Sequence, residues 1–169
     1  MSRGSLVVVG TGIELGSHLT QASREEIESA DVVLCLAAEP VANAWLASLN
    51  ANVRSLHSHY RLGEDRAQAY AAMTEEILAE VRAGRRVCVA FYGHPGVFVT
   101  PSHDAVRRAR EEGFASRMLP AISAEDCLFA DLGIDPARCG CQSYEATDFL
   151  VRHRVVDTTA ALVLWLAAA

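Results

Sequence analysis

The chain has 169 residues, of which 51% are hydrophobic and 21% charged, and its formal net charge is −6. That length suits one domain or two small ones with a real core, and the acidic balance gives no reason to expect a nucleic-acid backbone as partner. All 15 basic residues are Arg, which excludes any Schiff-base or lysine-nucleophile mechanism.

Residues 5–10 (SLVVVG) read as a first buried strand, running into Gly10-Thr-Gly12-Ile-Glu-Leu-Gly16. A helix follows, which Ser23 can cap with Glu26 completing a capping box. Residues 31–36 (DVVLCL) form a second strand, and Pro40 at a first helical position opens a helix over 41–49. A short third strand at 53–56 leads into a polar loop from His57 to Gly63, where His57 and His59 read as solvated polar residues. The longest helix is expected over 64–83, closed by Gly84.

The run from Val87 to Phe91 is continuously apolar, the pattern of a strand buried on both faces of a parallel sheet. Gly93-His94-Pro95-Gly96 stops it, because two glycines permit positive φ and Pro95 lacks a donor. The chain therefore turns sharply at the carboxyl end of a central strand, where open α/β sheets take ligands. Tyr92, His94 and Phe98 are expected to line that turn. A helix over 102–112 follows, with Arg107/Glu111 and Arg108/Glu112 at i,i+4 as a solvated face. A strand ends at Met118-Leu-Pro120, Ser123-Ala-Glu-Asp126 is a second capping box opening a helix to Leu132, and 160–166 is a terminal strand. The residues between 136 and 160 read as less regular.

Strands alternating with helices at these lengths predict a parallel doubly wound α/β sheet over residues 1–120, followed by a mixed α/β unit over 121–169. The five cysteines suggest neither a disulfide framework nor a metal site, since Cys139-Gly-Cys141 has no second pair at ligand spacing. With no signal-peptide pattern and no run long enough to span a bilayer, a cytoplasmic protein with reduced thiols is expected.

Two constellations carry chemistry. Gly10, Gly12 and Gly16 have one residue too many for a G-x-G-x-x-G fingerprint, yet Glu39 lies where a ribose-binding acid would stand, so NAD is an alternative ligand. Arg66 and Tyr70 share a helix face that Met73, Ile77 and Val81 continue as an apolar stripe, and Tyr60 lies in the loop before it. Either Arg66 snorkels from the helix end, or its charge is held beside two phenols to polarise a substrate oxygen.

With these residues assembled, the chain resembles the tetrapyrrole methylase superfamily of S-adenosylmethionine-dependent enzymes, and within it the borosin peptide-backbone N-methyltransferases. The resemblance runs from Leu6 to about Trp165. It rests most specifically on Gly93-His-Pro-Gly-Val-Phe98 and Ser123-Ala-Glu-Asp-Cys-Leu-Phe-Ala-Asp-Leu132, with Gly10-Thr-Gly-Ile, Ser29-Ala-Asp-Val-Val, Met118-Leu-Pro and Tyr144-Glu-Ala-Thr-Asp-Phe-Leu150 in support. It implies cofactor contacts from Tyr92, Gly93, His94, Val97, Phe98, Ser123 and Ala124, and a catalytic set of Tyr60, Arg66 and Tyr70. S-adenosylmethionine is the implied cofactor and S-adenosylhomocysteine the product.

The implied activity is N-methylation of peptide backbone amides, on a peptide supplied in trans. Methylation of a porphyrinoid or other small molecule, or a non-catalytic cofactor-binding and dimerisation scaffold, remain alternatives. In the implied chemistry a phenol beside the Arg66 guanidinium has its ionised form favoured and serves as base. Ala121 stands where the family usually has Gly, and Leu166 where relatives commonly carry Gln. Family members continue beyond the position of Ala169, so a truncated second domain is expected, its apolar sheet covered by homodimerisation or by a partner supplying the missing half.

Overall fold

The computed structural model describes residues 4–37, 40–61 and 65–166, and the chain divides into two compact units, Met1–Ala124 and Glu125–Ala169. The expected ribose acid Glu39, together with Gly63 and Glu64, lies outside the described residues.

The first unit is a five-stranded sheet in the order β3-β2-β4-β1-β5, built from β1 (Ser5–Gly10), β2 (Val32–Leu36), β3 (Val53–Ser55), β4 (Arg86–Phe91) and β5 (Ala115–Met118). Every pairing is parallel, with Val8 opposite Val89 and Leu34 opposite Val89 on its other side. β4 therefore lies between two strands, which is why Val87 to Phe91 is an unbroken apolar run. Its side chains alternate between two cores. Val87, Val89 and Phe91 pack with Leu6, Val8 and Leu34 under α3 (Arg66–Arg82) and α4 (Thr100–Glu111). Cys88 and Ala90 pack with Val9 and Val33 under Ile27 of α1 (Gln21–Ser29) and Leu46 of α2 (Pro40–Leu49).

Helix α3 shows which force fixes an element here. Met73, Ile77, Leu78 and Val81 recur at helical spacing and are fully buried, each contributing about 1.5–3 kcal/mol. Its cap, Asp65 Oδ1 accepting from Ala67 N at 2.9 Å, contributes about 1 kcal/mol. Packing decides where the helix lies, and the cap decides where it starts, which places Arg66 at its first position.

Some local expectations change. Thr20, in extended conformation, caps α1 by accepting from Ser23 N at 3.1 Å; Ser23 itself is buried inside the first turn, and Glu26 meets Arg117 of β5 instead. Helix α4 begins two residues early, at Thr100, with Pro101 in its first turn. Arg107 does pair with Glu111 at 2.9 Å. Arg108, however, reaches Glu75 of α3, and Glu112 accepts from Arg82 Nε at 2.7 Å, so part of that face bridges two helices.

The second unit contains α6 (Pro136–Cys139), β6 (Cys141–Glu145), α7 (Ala146–Val151) and β7 (Ala161–Trp165), while α5 (Ala124–Leu132) begins directly after Ser123. β6 and β7 pair in parallel, Cys141 opposite Ala161 and Glu145 opposite Trp165, and a parallel pair needs a crossover, which contains α7. The stretch expected to be irregular thus holds β6 and α7, which with the expected terminal strand make a β-α-β unit. Among the described residues none of its helices or strands has a fully buried side chain, and no helix of the chain is long and apolar enough to cross a membrane.

Candidate functional site

At the carboxyl ends of β2 and β4 the first unit carries an open cavity of about 330 Å³. Leu36 and Ala37 line it from the end of β2, and Phe91, Tyr92, Val97 and Phe98 from the end of β4. His57 and Tyr60 reach it from a 3₁₀ turn (Leu56–His59) and the residue after it, and Tyr70 from α3. Three phenols expected as site residues from separate parts of the chain thus share one space.

The loop wall is fixed by main-chain bonds. Thr11 donates to Phe91 O through both N (2.9 Å) and Oγ1 (3.3 Å). Gly12 and Gly93 form an antiparallel bridge, each N–H donating to the other's carbonyl at 3.2 and 3.0 Å, and Tyr92 N donates to Leu36 O at 3.2 Å. The seam is too close for a side chain at position 10, where a Cβ would stand 2.2 Å from Gly93 O and 2.6 Å from Ala121 Cβ. The first glycine loop is therefore a buttress for the second. Its Gly12 amide is already engaged by Gly93, which removes a donor that the dinucleotide alternative requires.

The positive φ expected at both loop glycines occurs at Gly93 (71°) and, at the end of the motif, at Phe98 (56°); Gly96 does not share it. Gly96 is constrained by space instead, since a Cβ there would stand 3.0 Å from Met118 Sδ and 3.2 Å from His94 Cε1. His94 turns back on its own loop and does not line the cavity. Its Nδ1 accepts from Gly96 N at 3.0 Å, and its carbonyl accepts from Val97 N at 3.2 Å. His103 Nε2 donates to Gly96 O at 2.9 Å, and the buried Ser102 hydroxyl donates to Pro95 O.

The phenol wall is made of side chains. The rings of Tyr60 and Tyr70 meet edge to face, their centroids 6.3 Å apart. Arg66 is exposed at the start of α3, close enough for its charge to act on Tyr60 but outside the lining of the cavity. Burial first, and the Tyr70 phenol second, push the Tyr60 hydroxyl up to about 12, while the guanidinium pulls only weakly the other way. The expectation that Arg66 would favour an ionised phenol at position 60 is thus reversed, because desolvation outweighs the nearby charge.

Ser123, buried, and Ala124 stand at the start of α5 and do not line this cavity. His57, exposed as its sequence reading expects, also lines it: its Nε2 donates to Ala37 O at 2.8 Å. His59 is paired as well, with Glu76 at 2.6 Å. The signal for His57 was topological, since β2–β3 pairing sets Cys35 opposite Ser55 and so brings the residues after both strands together.

The chain matches the model of the family described as Tetrapyrrole (Corrin/Porphyrin) Methylases over residues 5–165. It is 49% identical over 162 residues to the methyltransferase/ribosomally synthesized cyclic peptide gymnopeptides precursor of Gymnopus fusipes, and 48% identical to the omphalotin A precursor of Omphalotus olearius. It is 46% identical to a type I borosin cyclic peptide precursor of Coprinopsis marcescibilis. These matches cover 96% of this chain but only 39 to 41% of each relative, so the chain spans about two fifths of the curated proteins it matches. Among solved structures, the uroporphyrin-III-C-methyltransferase of Thermus thermophilus superposes with a TM-score of 0.70 at 23% identity, over 96% of this chain and 68% of that one, a likeness of fold.

Proposed function

Since the chain belongs to the tetrapyrrole methylase family, we propose that it is an S-adenosylmethionine-dependent methyltransferase acting on backbone amides of a peptide supplied in trans. The observation that carries this reading is the convergence of Tyr60, Tyr70, Tyr92, Val97 and Phe98 on one cavity at the ligand-binding end of the sheet. The relatives named as methyltransferase and cyclic-peptide precursor in one chain support the choice of a peptide over a porphyrinoid.

The residues present suit a sulfonium cofactor. Ring faces attract a cation, and Tyr60, Tyr70, Phe91, Tyr92 and Phe98 supply five such rings to the cavity. Tyr92, Val97 and Phe98, which line the cavity, are proposed to hold it, and Gly93, His94, Ser123 and Ala124 are proposed with them from outside that lining. Bound there, S-adenosylmethionine would supply an electrophilic methyl group.

The chain's own residues must then make an amide nitrogen nucleophilic. Its lone pair is delocalised into the carbonyl, so the N–H proton has to leave and the charge gathering on oxygen has to be held. Tyr60 keeps its proton, its hydroxyl being pushed up to about 12, and is assigned as a donor to that oxygen. Arg66 adds a fixed positive charge and a fork of donors at the same atom. Tyr70 is left as the base that takes the amide proton.

The proposal includes a homodimer in the cytoplasm. Its test is incubation of the purified chain with S-adenosylmethionine and the peptides encoded beside its gene. Methyl masses located on backbone nitrogens support it. Methylation of a porphyrinoid alone would favour the small-molecule reading, and tight cofactor binding without methylation of any acceptor would favour a scaffold.

A further inference from the structure

His57 makes three bonds that together fasten the 3₁₀ turn. Its N–H donates to Ser55 Oγ at 3.2 Å, its carbonyl accepts from Tyr60 N at 3.0 Å, and its ring Nε2 donates to Ala37 O at 2.8 Å. The first two are local to the turn and would survive many side chains at position 57. The third is a bond across 20 residues of sequence, joining the turn to the end of β2, and only a side-chain donor of the right reach can make it. Because a carbonyl only accepts, the ring carries a proton on Nε2. The same ring lines the cavity and lies 5.8 Å from that of Tyr60, tilted by 60°.

We propose that His57 is a positioning residue, which bolts the Tyr60 turn to the end of β2 and so holds the Tyr60 hydroxyl in the cavity beside Tyr70. This rests on the methyltransferase reading only for its effect on rate; the placement of Tyr60 is a property of the chain by itself. Without the bolt, the turn keeps the buried Leu56 and the pairing of His59 with Glu76 at 2.6 Å but loses its hydrogen bond to the end of β2, and the 40% exposure of Tyr60 rises. The environment that raises its hydroxyl is then diluted by water. Tyr70 and Arg66 are the other groups that act on that hydroxyl, and neither is attached to the 3₁₀ turn.

The test places 3-fluorotyrosine at position 60 of the full chain, which brings the phenol's titration into the folding range, and reads it by ¹⁹F NMR. In the parent the label titrates above free 3-fluorotyrosine. His57→Phe keeps an aromatic ring but removes the donor, and should lower the midpoint by about one unit as Tyr60 loses its burial. His57→Gln returns an N–H at the distance of Nε2 and should restore the parent value. His57→Asn, polar but too short to reach Ala37, should behave like Phe and stands in if the Phe variant fails to fold.

On a competent peptide, His57→Phe should lower kcat about tenfold by misplacing Tyr60, with S-adenosylhomocysteine affinity nearly unchanged and Gln rescuing the rate. A label that stays at the parent midpoint in both His57→Phe and His57→Asn overturns the proposal, even if the wild type methylates peptides. Loss in His57→Gln equal to that in His57→Phe also overturns it, since the Nε2 donor would then not be what matters. A label that moves as expected, in a chain that methylates nothing, supports the role of His57 while removing the functional reading it was attached to.

Discussion

The two walls of the cavity are built by different means. The loop wall is backbone: a turn at the end of a fully buried strand, pinned by the paired bonds of Gly12 with Gly93 and by Thr11 on Phe91 O. The phenol wall is side chain: Tyr60 and Tyr70, partly exposed, carried on a 3₁₀ turn and the first turns of α3. A wall made of backbone tolerates new surface chemistry but not an added Cβ in its seams. A wall made of hydroxyls keeps its shape when one is removed but loses what that hydroxyl does. Binding should therefore fail with the first wall and turnover with the second.

The largest effect is expected on the phenol side. Tyr70→Phe deletes one hydroxyl and should lower turnover by about 10²- to 10³-fold, some 2.7–4 kcal/mol in the barrier, as measured by methyl incorporation into a competent peptide. Arg66→Lys should fall by a similar factor, because an ammonium does not reproduce the planar fork. On the loop side, Gly10→Val forces a branched side chain against Gly93 O, Ala121 and Pro95, all within 3 Å of its Cβ, and overpacking of that kind costs about 3 kcal/mol. Thermal denaturation should show the loss, and binding of S-adenosylhomocysteine should vanish with it. Gly93→Ala asks an L-residue to hold φ at 71°, a cost of about 1–2 kcal/mol in stability.

Smaller changes separate the walls further. Asp65→Ala removes the cap beside Arg66 and should lower stability by about 1 kcal/mol, fraying the turn that carries Arg66 while leaving the loop intact. Tyr60 provides a signature in alkali. Its hydroxyl is raised in the folded chain from 10.0 to about 12, so the folded form binds the proton more tightly. The associated stability is fully present below pH 10, and is lost as pH rises from there through about 12. Denaturant unfolding at rising pH should show this loss in the wild type, and Tyr60→Phe should lack that component.

The first unit was legible in the sequence because its central strands are buried on both faces. Val32 to Leu36 and Val87 to Phe91 read as continuous apolar runs, and α3 shows its stripe at Met73, Ile77 and Val81. In the second unit β7 was legible as the terminal strand over 160–166, but β6 was not, since Gln142 and Ser143 interrupt it and its residues are at most half-buried, which erases the periodic signal. Tyr60, Tyr70, Tyr92, Val97 and Phe98, half of the expected site residues, line the cavity, but its electrostatics were not readable. Whether Arg66 or desolvation governs Tyr60 depends on how deeply the ring sits, and that is fixed by packing between elements far apart in sequence. His57 was missed for the same reason, its partner Ala37 being reached only through the pairing of β2 with β3. Gly96 was assigned the right place for the wrong cause, since contact with Met118 and His94 constrains it and not a positive φ.

Calorimetry with S-adenosylhomocysteine on three folded proteins tests the division of labour most directly: the wild type, Tyr70→Phe and Gly96→Val. The wild type and Tyr70→Phe should bind with nearly equal affinity. Gly96→Val should show no binding, because its side chain would displace His94 and Met118 from the seam beneath the turn. Absence of binding by the folded wild type, or a loss in Tyr70→Phe as large as that in Gly96→Val, would contradict the account.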